Sequence, residues 1–440
     1  MNASSHSSPL ERLFKLQENR TNVRTELLAG VTTFLTMCYI IIVNPQILGT
    51  TGMDTGAVFV ATCIAAAIGC FMMGLVANYP IALAPGMGLN AYFAFNVVGN
   101  SAAPVSWQIA LAAVFVSGLL FILFSFLRVR EALVNALPMS LKMSIAAGIG
   151  LFLALIALKG AGVIVGSPAT LVKMGDVHDP RALLAMLGFF MVVVLDYYRV
   201  RGAIILSILT ITAIAMATGL AEYKGIVGSI PSIAPTFMQM DFNGLFNVTM
   251  VSVIFVFFLV DLFDSTGTLV GVSHRAGLLE NGKLPRLKKA LFADSTAIVA
   301  GAALGTSSTT PYIESAAGVA AGGRTGLTAV VVGLLLLACL WFAPLAASVP
   351  AFATAPALLY VGVQMLRSLT EIDWDDLTEA APAFITVVFM PFSYSIADGI
   401  AMGFISYAVV KLLCGKAATV PPMVWIVAVL WVLKFWYMGG

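Results

Sequence analysis

Three carboxylates sit where carboxylates are costly. Asp261, Asp264 and Glu314 each lie inside or beside an apolar run long enough to enter a bilayer. Insertion scales put an acid at the centre of a membrane helix at a cost of about 2.5–3.5 kcal/mol, so such residues mark ion and substrate pathways. In Val260-Asp261-Leu262-Phe263-Asp264-Ser265-Thr266-Gly267-Thr268, the residues Asp261, Asp264 and Thr268 are spaced i, i+3, i+7 and share one helix face. Two like charges this close are hard to hold together in a low dielectric, so the pair is a candidate proton carrier. Asp264 is expected to look toward the polar run Ser265-Thr266 and is favoured for the site. Asp261 is equally a proton relay or a structural partner.

Glu314 follows a polar extended run, Gly305-Thr306-Ser307-Ser308-Thr309-Thr310-Pro311-Tyr312-Ile313-Glu314-Ser315. Proline suits a first helical turn, where its missing N–H would have no partner anyway. Glu314 is then expected about one turn into a half-helix, in contact with substrate or coupling ion. The competing reading is a structural carboxylate held by neighbouring hydroxyls. A second broken stretch reads Leu83-Ala84-Pro85-Gly86-Met87-Gly88-Leu89-Asn90-Ala91-Tyr92-Phe93. A half-helix beginning near Gly88 and Asn90 would turn unpaired N–H groups toward a cavity. The Asn90 amide both donates and accepts, which suits a heterocyclic amide. The alternative is a kink that only packs helices.

Other charged groups carry less. Asp294 caps or bonds a neighbouring helix, or belongs to the site. Lys142, Asp196 and Asp398 fall near span ends, where snorkelling or interfacial pairing explains them. Gly318-Val319-Ala320-Ala321-Gly322-Gly323-Arg324-Thr325 matches a phosphate-binding loop except for Arg in place of Lys. It follows a membrane half-helix instead of a strand, so its glycines are expected to serve close helix approach. The five cysteines form no CxxC pair, and His6, His178 and His274 are isolated, so no metal or redox centre is indicated.

The elements that must position these groups are membrane helices. Of 440 residues, 60% are hydrophobic and only 10% are charged, too few charges to cover a soluble surface of this size. No basic stripe for nucleic acid is present. A span takes about 20 mainly apolar residues. Such stretches fall at 27–49, 57–78, 81–98, 106–127, 140–158, 182–198, 202–220, 246–272, 287–305, 309–322, 326–346, 350–367, 381–395 and 399–414. The Trp-rich stretch from Met423 to Met438 is expected to lie in the membrane interface, with a fifteenth span as the alternative. The polar residues 1–26 are expected as a cytoplasmic arm. Positive residues then follow the even spans: Arg128 and Arg130, Arg199 and Arg201, Arg275 to Lys289, Arg324, Lys411 and Lys416. The loop at 159–181, with Lys159, Lys173 and Arg181, is an exception. Spans 1–7 (27–220) and 8–14 (246–414) repeat one rhythm across a polar connector at 221–245, with 415–440 as a tail. In both halves the third span is short and broken, a sequence pointer to a transporter binding site.

These motifs together resemble the AzgA-like purine permeases of the nucleobase/ascorbate transporter superfamily. The resemblance runs from Gly30–Met37 and Val43-Asn44-Pro45 through Pro85–Phe95, Asp261–Thr268 and Thr309–Gly326 to Pro382–Gly403. It implies an all-α polytopic membrane protein of fourteen spans in a seven-plus-seven inverted repeat, with core and gate domains and short extended segments in spans 3 and 10. It implies a proton-coupled symporter of purine nucleobases, with no cofactor besides the proton; the lack of a cleavable targeting segment and the style of the chain point to a plasma membrane, the bacterial inner membrane. Asn90, Asp264 and Glu314 match the family's substrate and transport positions, and Asp261 a further important acid. Gly88 and Thr310 border them, and Tyr92, Phe93 or Phe263 would stack on the purine. The run Gly88-Leu89-Asn90-Ala91 and the double acid resemble the hypoxanthine/guanine subgroup; an adenine-selective permease, or a carrier of xanthine or uracil, is the alternative. A homodimer fits the fold, although no interface is legible. A channel would need rings of charge or carbonyls lining a pore, and an enzyme a nucleophile–base or metal constellation; the sequence offers neither.

Overall fold

The computed structural model describes residues 9–99, 105–126, 138–168, 170–245, 247–278 and 284–438. His6, Arg128, Arg130 and Lys283 lie outside them. Among the described residues, eight helices are long and apolar enough to cross a membrane: Val23–Gly49, Thr55–Ala77, Trp107–Ser125, Met139–Gly160, Pro180–Tyr197, Thr249–His274, Gly326–Ser348 and Ile396–Leu413. Shorter apolar helices cover Met87–Val98, Ala203–Ala217, Leu377–Phe392 and Pro422–Trp436. Leu287–Leu304 and Ala351–Leu366 complete the bundle. The molecule is an all-α polytopic membrane protein.

Several helices begin ahead of the expected span starts because a polar cap fixes the first turn. The Asn22 side chain accepts from Thr25 N at 3.0 Å, so the first helix opens at Val23 instead of 27. Asp376 accepts from Thr378 N at 2.8 Å and starts Leu377–Phe392 four residues ahead of the expected 381. Ser395 accepts from Asp398 N at 3.1 Å and opens Ile396–Leu413. A cap of this kind satisfies an N–H group that the helix itself leaves open. The tail residues form a helix, Pro422–Met438, that packs Val424, Val427, Ala428 and Trp431 inward and leaves Ile426, Val429, Leu433 and Trp436 outward.

The helices sort into two bodies by what they touch. Thr55–Met72 packs on Leu287–Leu304 and Gly326–Ala338, which also lies on Val23–Met37; Trp107–Phe126 joins them through Leu287–Leu304 and Val248–Arg275. In the second body, Met139–Gly160 packs on Ala351–Leu366 and Leu377–Phe392, and Pro180–Tyr197 and Ala203–Ala217 lie on Ala351–Leu366. Glycines let backbones meet inside the first body. A Cβ on Gly326 would fall 2.0 Å from the Gly74 carbonyl oxygen, and one on Gly318 2.0 Å from Thr33 Oγ1.

Two short strands lie in the middle of the first body. Leu83–Pro85 pairs antiparallel with Thr309–Pro311, in the register Leu83↔Pro311, Ala84↔Thr310, Pro85↔Thr309. The ladder is extended at each end, by Gly86 N donating to Ser308 O at 2.9 Å and Tyr312 N to Ala82 O at 2.9 Å. The Tyr312 hydroxyl donates to Pro85 O at 2.6 Å, and Ala82 N donates to Ser315 Oγ at 3.0 Å. Non-helical backbone survives at membrane depth only when its polar groups are satisfied by protein or a watered cavity. Here two broken segments satisfy each other.

Candidate functional site

Each strand leads into a short helix, and the crossing of the two segments is where the acids gather. Gly86 ends the first extended stretch and precedes Met87–Ala91; Tyr92–Val98 continues it with wider, π-helical turns. Asn90 N donates to Gly86 O at 2.8 Å, which closes the first helical turn. The N–H groups ahead of it have no intrahelical acceptor. In the second segment the strand runs on through Tyr312, so the helix opens only at Ser315. Glu314 therefore sits at the cap position, not a turn inside the helix as expected. The pairing of Tyr312 with Ala82 holds the chain extended past Pro311 and delays the helix.

Helix Val248–Arg275 runs beside the second strand and meets it with its acid face. The i, i+3 spacing on the helix matches alternate residues on the extended chain. The Ser308 hydroxyl lies 2.8 and 2.6 Å from the two Asp261 carboxylate oxygens, and the Thr310 hydroxyl bonds Asp264. Ser265 turns elsewhere and donates to Asp294 Oδ1 at 3.1 Å, which ties this helix to Leu287–Leu304. Asp264 and Ser265 thus face different ways, against expectation, because neighbours on a helix point about 100° apart.

The expected site residues divide by exposure. Gly88, Phe263, Asp264 and Glu314 keep an open side. Asn90, Asp261, Thr310, Tyr92 and Phe93 are buried, Asn90 and Asp261 completely. The Ser307 hydroxyl donates to Asn90 Oδ1, so Asn90 stitches one broken segment to the other. Tyr92 packs edge-on against Phe257 with centroids 5.0 Å apart, and Phe93 belongs to the core. Of the three aromatic candidates, Phe263 is the one with an accessible face. Beyond Asp264, Gly267 and Gly271 follow at i+3 and i+7 on the same side, and a Cβ on either would meet nothing within 4 Å. In the preceding turns, Val256 to Val260 are all buried. The open side that Asp264 shares with Gly267 and Gly271, called the cleft below, is therefore accessible toward the His274 end and closed toward the Val248 end.

Two features escaped the sequence. Tyr39, on the first membrane helix, donates its hydroxyl to Glu314 Oε1 at 2.7 Å, and Thr36 Oγ1 lies 3.4 Å from the Glu314 carbonyl oxygen. The phosphate-loop lookalike does hold an anion, and the anion is the Glu26 carboxylate. It accepts from Arg324 N at 2.9 Å, Thr325 N at 3.3 Å and Thr328 Oγ1 at 2.6 Å, and is completely buried. Among the described residues no group of three His, Cys, Asp or Glu could hold a metal ion.

Paired broken helices with acids gathered at their crossing define a membrane transporter, not an enzyme. The chain belongs to the Permease family, whose model matches residues 24–402, and within it to the AzgA-like purine permeases. It is 51% identical to the adenine permease AdeP of Escherichia coli over 98% of this chain and 97% of that one. It is 49% identical to the adenine permease AdeQ of the same organism over 98% and 97%. Against the guanine/hypoxanthine permease PbuG of Bacillus subtilis it is 45% identical over 98% and 100%. The solved transmembrane domain of the cyanobacterial bicarbonate transporter BicA shares the fold, with a TM-score of 0.66 at 17% identity, covering 86% of this chain and 97% of that one.

Proposed function

We propose that the protein imports adenine together with protons by alternating access. The observation that carries the substrate is the order of likeness: the two adenine permeases are 51% and 49% identical to this chain, ahead of the guanine/hypoxanthine permeases at 45% and 43%. This favours the alternative over the hypoxanthine/guanine reading drawn from Asn90 and Asp261. Asn90 Oδ1 accepts from Ser307 and the Asp261 carboxylate from Ser308, holding the broken segments together; both residues are buried, and the Asn90 Nδ2 group has no protein partner.

The open groups fit adenine. Its exocyclic amine and ring N–H are donors, and Glu314 and Asp264 offer carboxylate oxygens. Its ring nitrogens are acceptors, and the first turn after Gly86 offers N–H groups near Gly88. Phe263 supplies a stacking face. A proton on Asp264, or shared with Asp261 or Glu314, lets the loaded site move without an uncompensated charge. One positive charge moving inward gains about 2.3 kcal/mol per 100 mV of potential.

The surrounding organisation follows from the same reading. Fourteen spans form a seven-plus-seven inverted repeat over 27–220 and 246–414, joined by 221–245, with a cytoplasmic arm at 1–26 and the 415–440 helix at the interface. The first helical body is the moving core and the second the gate. With the N-terminus inside, the His274 end of the cleft opens to the cytoplasm. The test is radiolabelled adenine uptake into cells without purine carriers of their own. Uptake competed by unlabelled adenine and not by hypoxanthine or guanine supports the reading. Competition by hypoxanthine and guanine alone returns the protein to the other subgroup.

A further inference from the structure

Two amides carry hydrogen bonds from one helical body to the other, and both sit at the same end. Gln46, near the end of the first membrane helix, donates to Val349 O at 2.9 Å and accepts from Thr354 Oγ1 at 2.6 Å, where helix Ala351–Leu366 begins. Asn96, near the end of Met87–Val98, donates to Tyr394 O and accepts from Ile396 N at 3.2 Å, in the turn between Leu377–Phe392 and Ile396–Leu413. Each amide uses both its oxygen and its nitrogen: Asn96 reads an acceptor and a donor on the opposite body, and Gln46 reads the link into that body at Val349 and its first helical turn at Thr354. Tyr394 is shaped for the contact. Its backbone is left-handed at φ 54°, and its ring meets Phe95 and Phe152 edge-on, with centroids 6.4 and 5.4 Å away. The Lys159 ammonium lies 4.8 Å from the centre of that ring.

Following the chain, Gln46 and Asn96 both lie at the end of the bundle opposite His274, the end at which the cleft is closed. A body that slides past its neighbour must break whatever polar contacts cross the boundary. We propose that Gln46 and Asn96 form a double clasp that seals the outer route to the site and must open once in each transport cycle. They are positioning residues and touch no substrate. The proposal rests on the alternating-access reading above, and concerns which residues set the balance between its two states.

The direct test locks one clasp. In a variant carrying Asn96→Cys and Tyr394→Cys, a short bifunctional thiol reagent added from outside joins the two positions. Four of the five native cysteines are buried, and the exposed one, Cys414, follows a helix end placed inside. The expected result is that cross-linking stops uptake that the unmodified double variant performs, and that cleaving a reducible linker restores it. Uptake that continues at full rate through the cross-linked protein overturns the clasp. A double variant with no uptake before cross-linking is answered by Gln46→Ala and Asn96→Ala singly. Each frees the outward-open state, and the apparent KM for external substrate falls several-fold because the competent fraction rises. An unchanged KM in both, at normal membrane abundance, also overturns it. Wild-type protein that transports no purine at all would instead fail the parent reading, before either clasp is tested.

Discussion

The hydroxyl of Tyr39 donates to the Glu314 carboxylate at 2.7 Å, across a sequence distance of 275 residues. It joins the first membrane helix to the cap of the second half's broken span. The bond leaves one face of Glu314 toward the cleft and fixes where that carboxylate points. A hydrogen bond to a charged group contributes about 1.5–3 kcal/mol. Tyr39→Phe is therefore expected to raise the KM for uptake roughly tenfold with the protein still in the membrane, measured by initial rates against substrate concentration. Glu314→Gln is expected to abolish saturable uptake at unchanged abundance. Normal uptake by that variant would exclude Glu314 as an essential ligand.

Asp261 and Asp264 are expected to behave differently, although they are three residues apart. Asp264 has an open side; Asp261 is sealed behind Ser308. Asp264→Asn should remove concentrative uptake. Asp261→Leu strands the Ser308 hydroxyl in a buried position, at a cost of about 1–3 kcal/mol. Its first consequence should be a lowered melting temperature of the purified protein, read by thermal unfolding in detergent. A melting temperature equal to wild type would mean that Ser308 has another acceptor.

The Glu26 carboxylate satisfies two backbone N–H groups and one hydroxyl in the glycine-rich turn. Glu26→Ala should destabilise the protein by about 1–3 kcal/mol, since it leaves buried donors without an acceptor. The readout is membrane abundance and melting temperature together. Glu26→Ala protein as stable as wild type would show that the turn folds without its anion.

Glycines of one helix type should answer oppositely to alanine. A Cβ on Gly318 would meet Thr33 Oγ1 at 2.0 Å and the Ala29 carbonyl oxygen at 2.7 Å. Gly318→Ala should cost about 1–3 kcal/mol by overpacking. A Cβ on Gly271 meets nothing, so Gly271→Ala should keep or raise stability by up to about 1 kcal/mol through helix propensity. Comparing the two melting temperatures checks the open side of the cleft without reference to transport. A loss of stability in Gly271→Ala would mean that this face is packed.

Much of this was legible in the chain. Composition and span length give the polytopic class, Pro85 and Pro311 mark the broken helices, and the Asp261/Asp264 spacing gives one acid face. These are local patterns, set by helix period and by proline chemistry. The partners were not legible. Nothing around Tyr39 signals Glu314, and nothing around Glu26 signals Arg324, because each bond closes across roughly the whole bundle. The same limit explains Asn90 and Asp261. Asn90 Oδ1 and the Asp261 carboxylate accept from Ser307 and Ser308, and a hydroxyl in a polar run does not announce its acceptor. The cap position of Glu314 was missed because Pro311 reads as a helix start, whereas pairing of Tyr312 with Ala82 keeps the chain extended for longer.

A purine moving with a proton through the crossing of the two broken segments should be driven uphill by a proton gradient alone. Purified protein in liposomes, acid outside and neutral inside, tests it with nothing else present. The account predicts that adenine accumulates inside above its external concentration, and that a protonophore or Glu314→Gln abolishes the accumulation. Adenine that only equilibrates, at the same rate with and without the gradient, would contradict it.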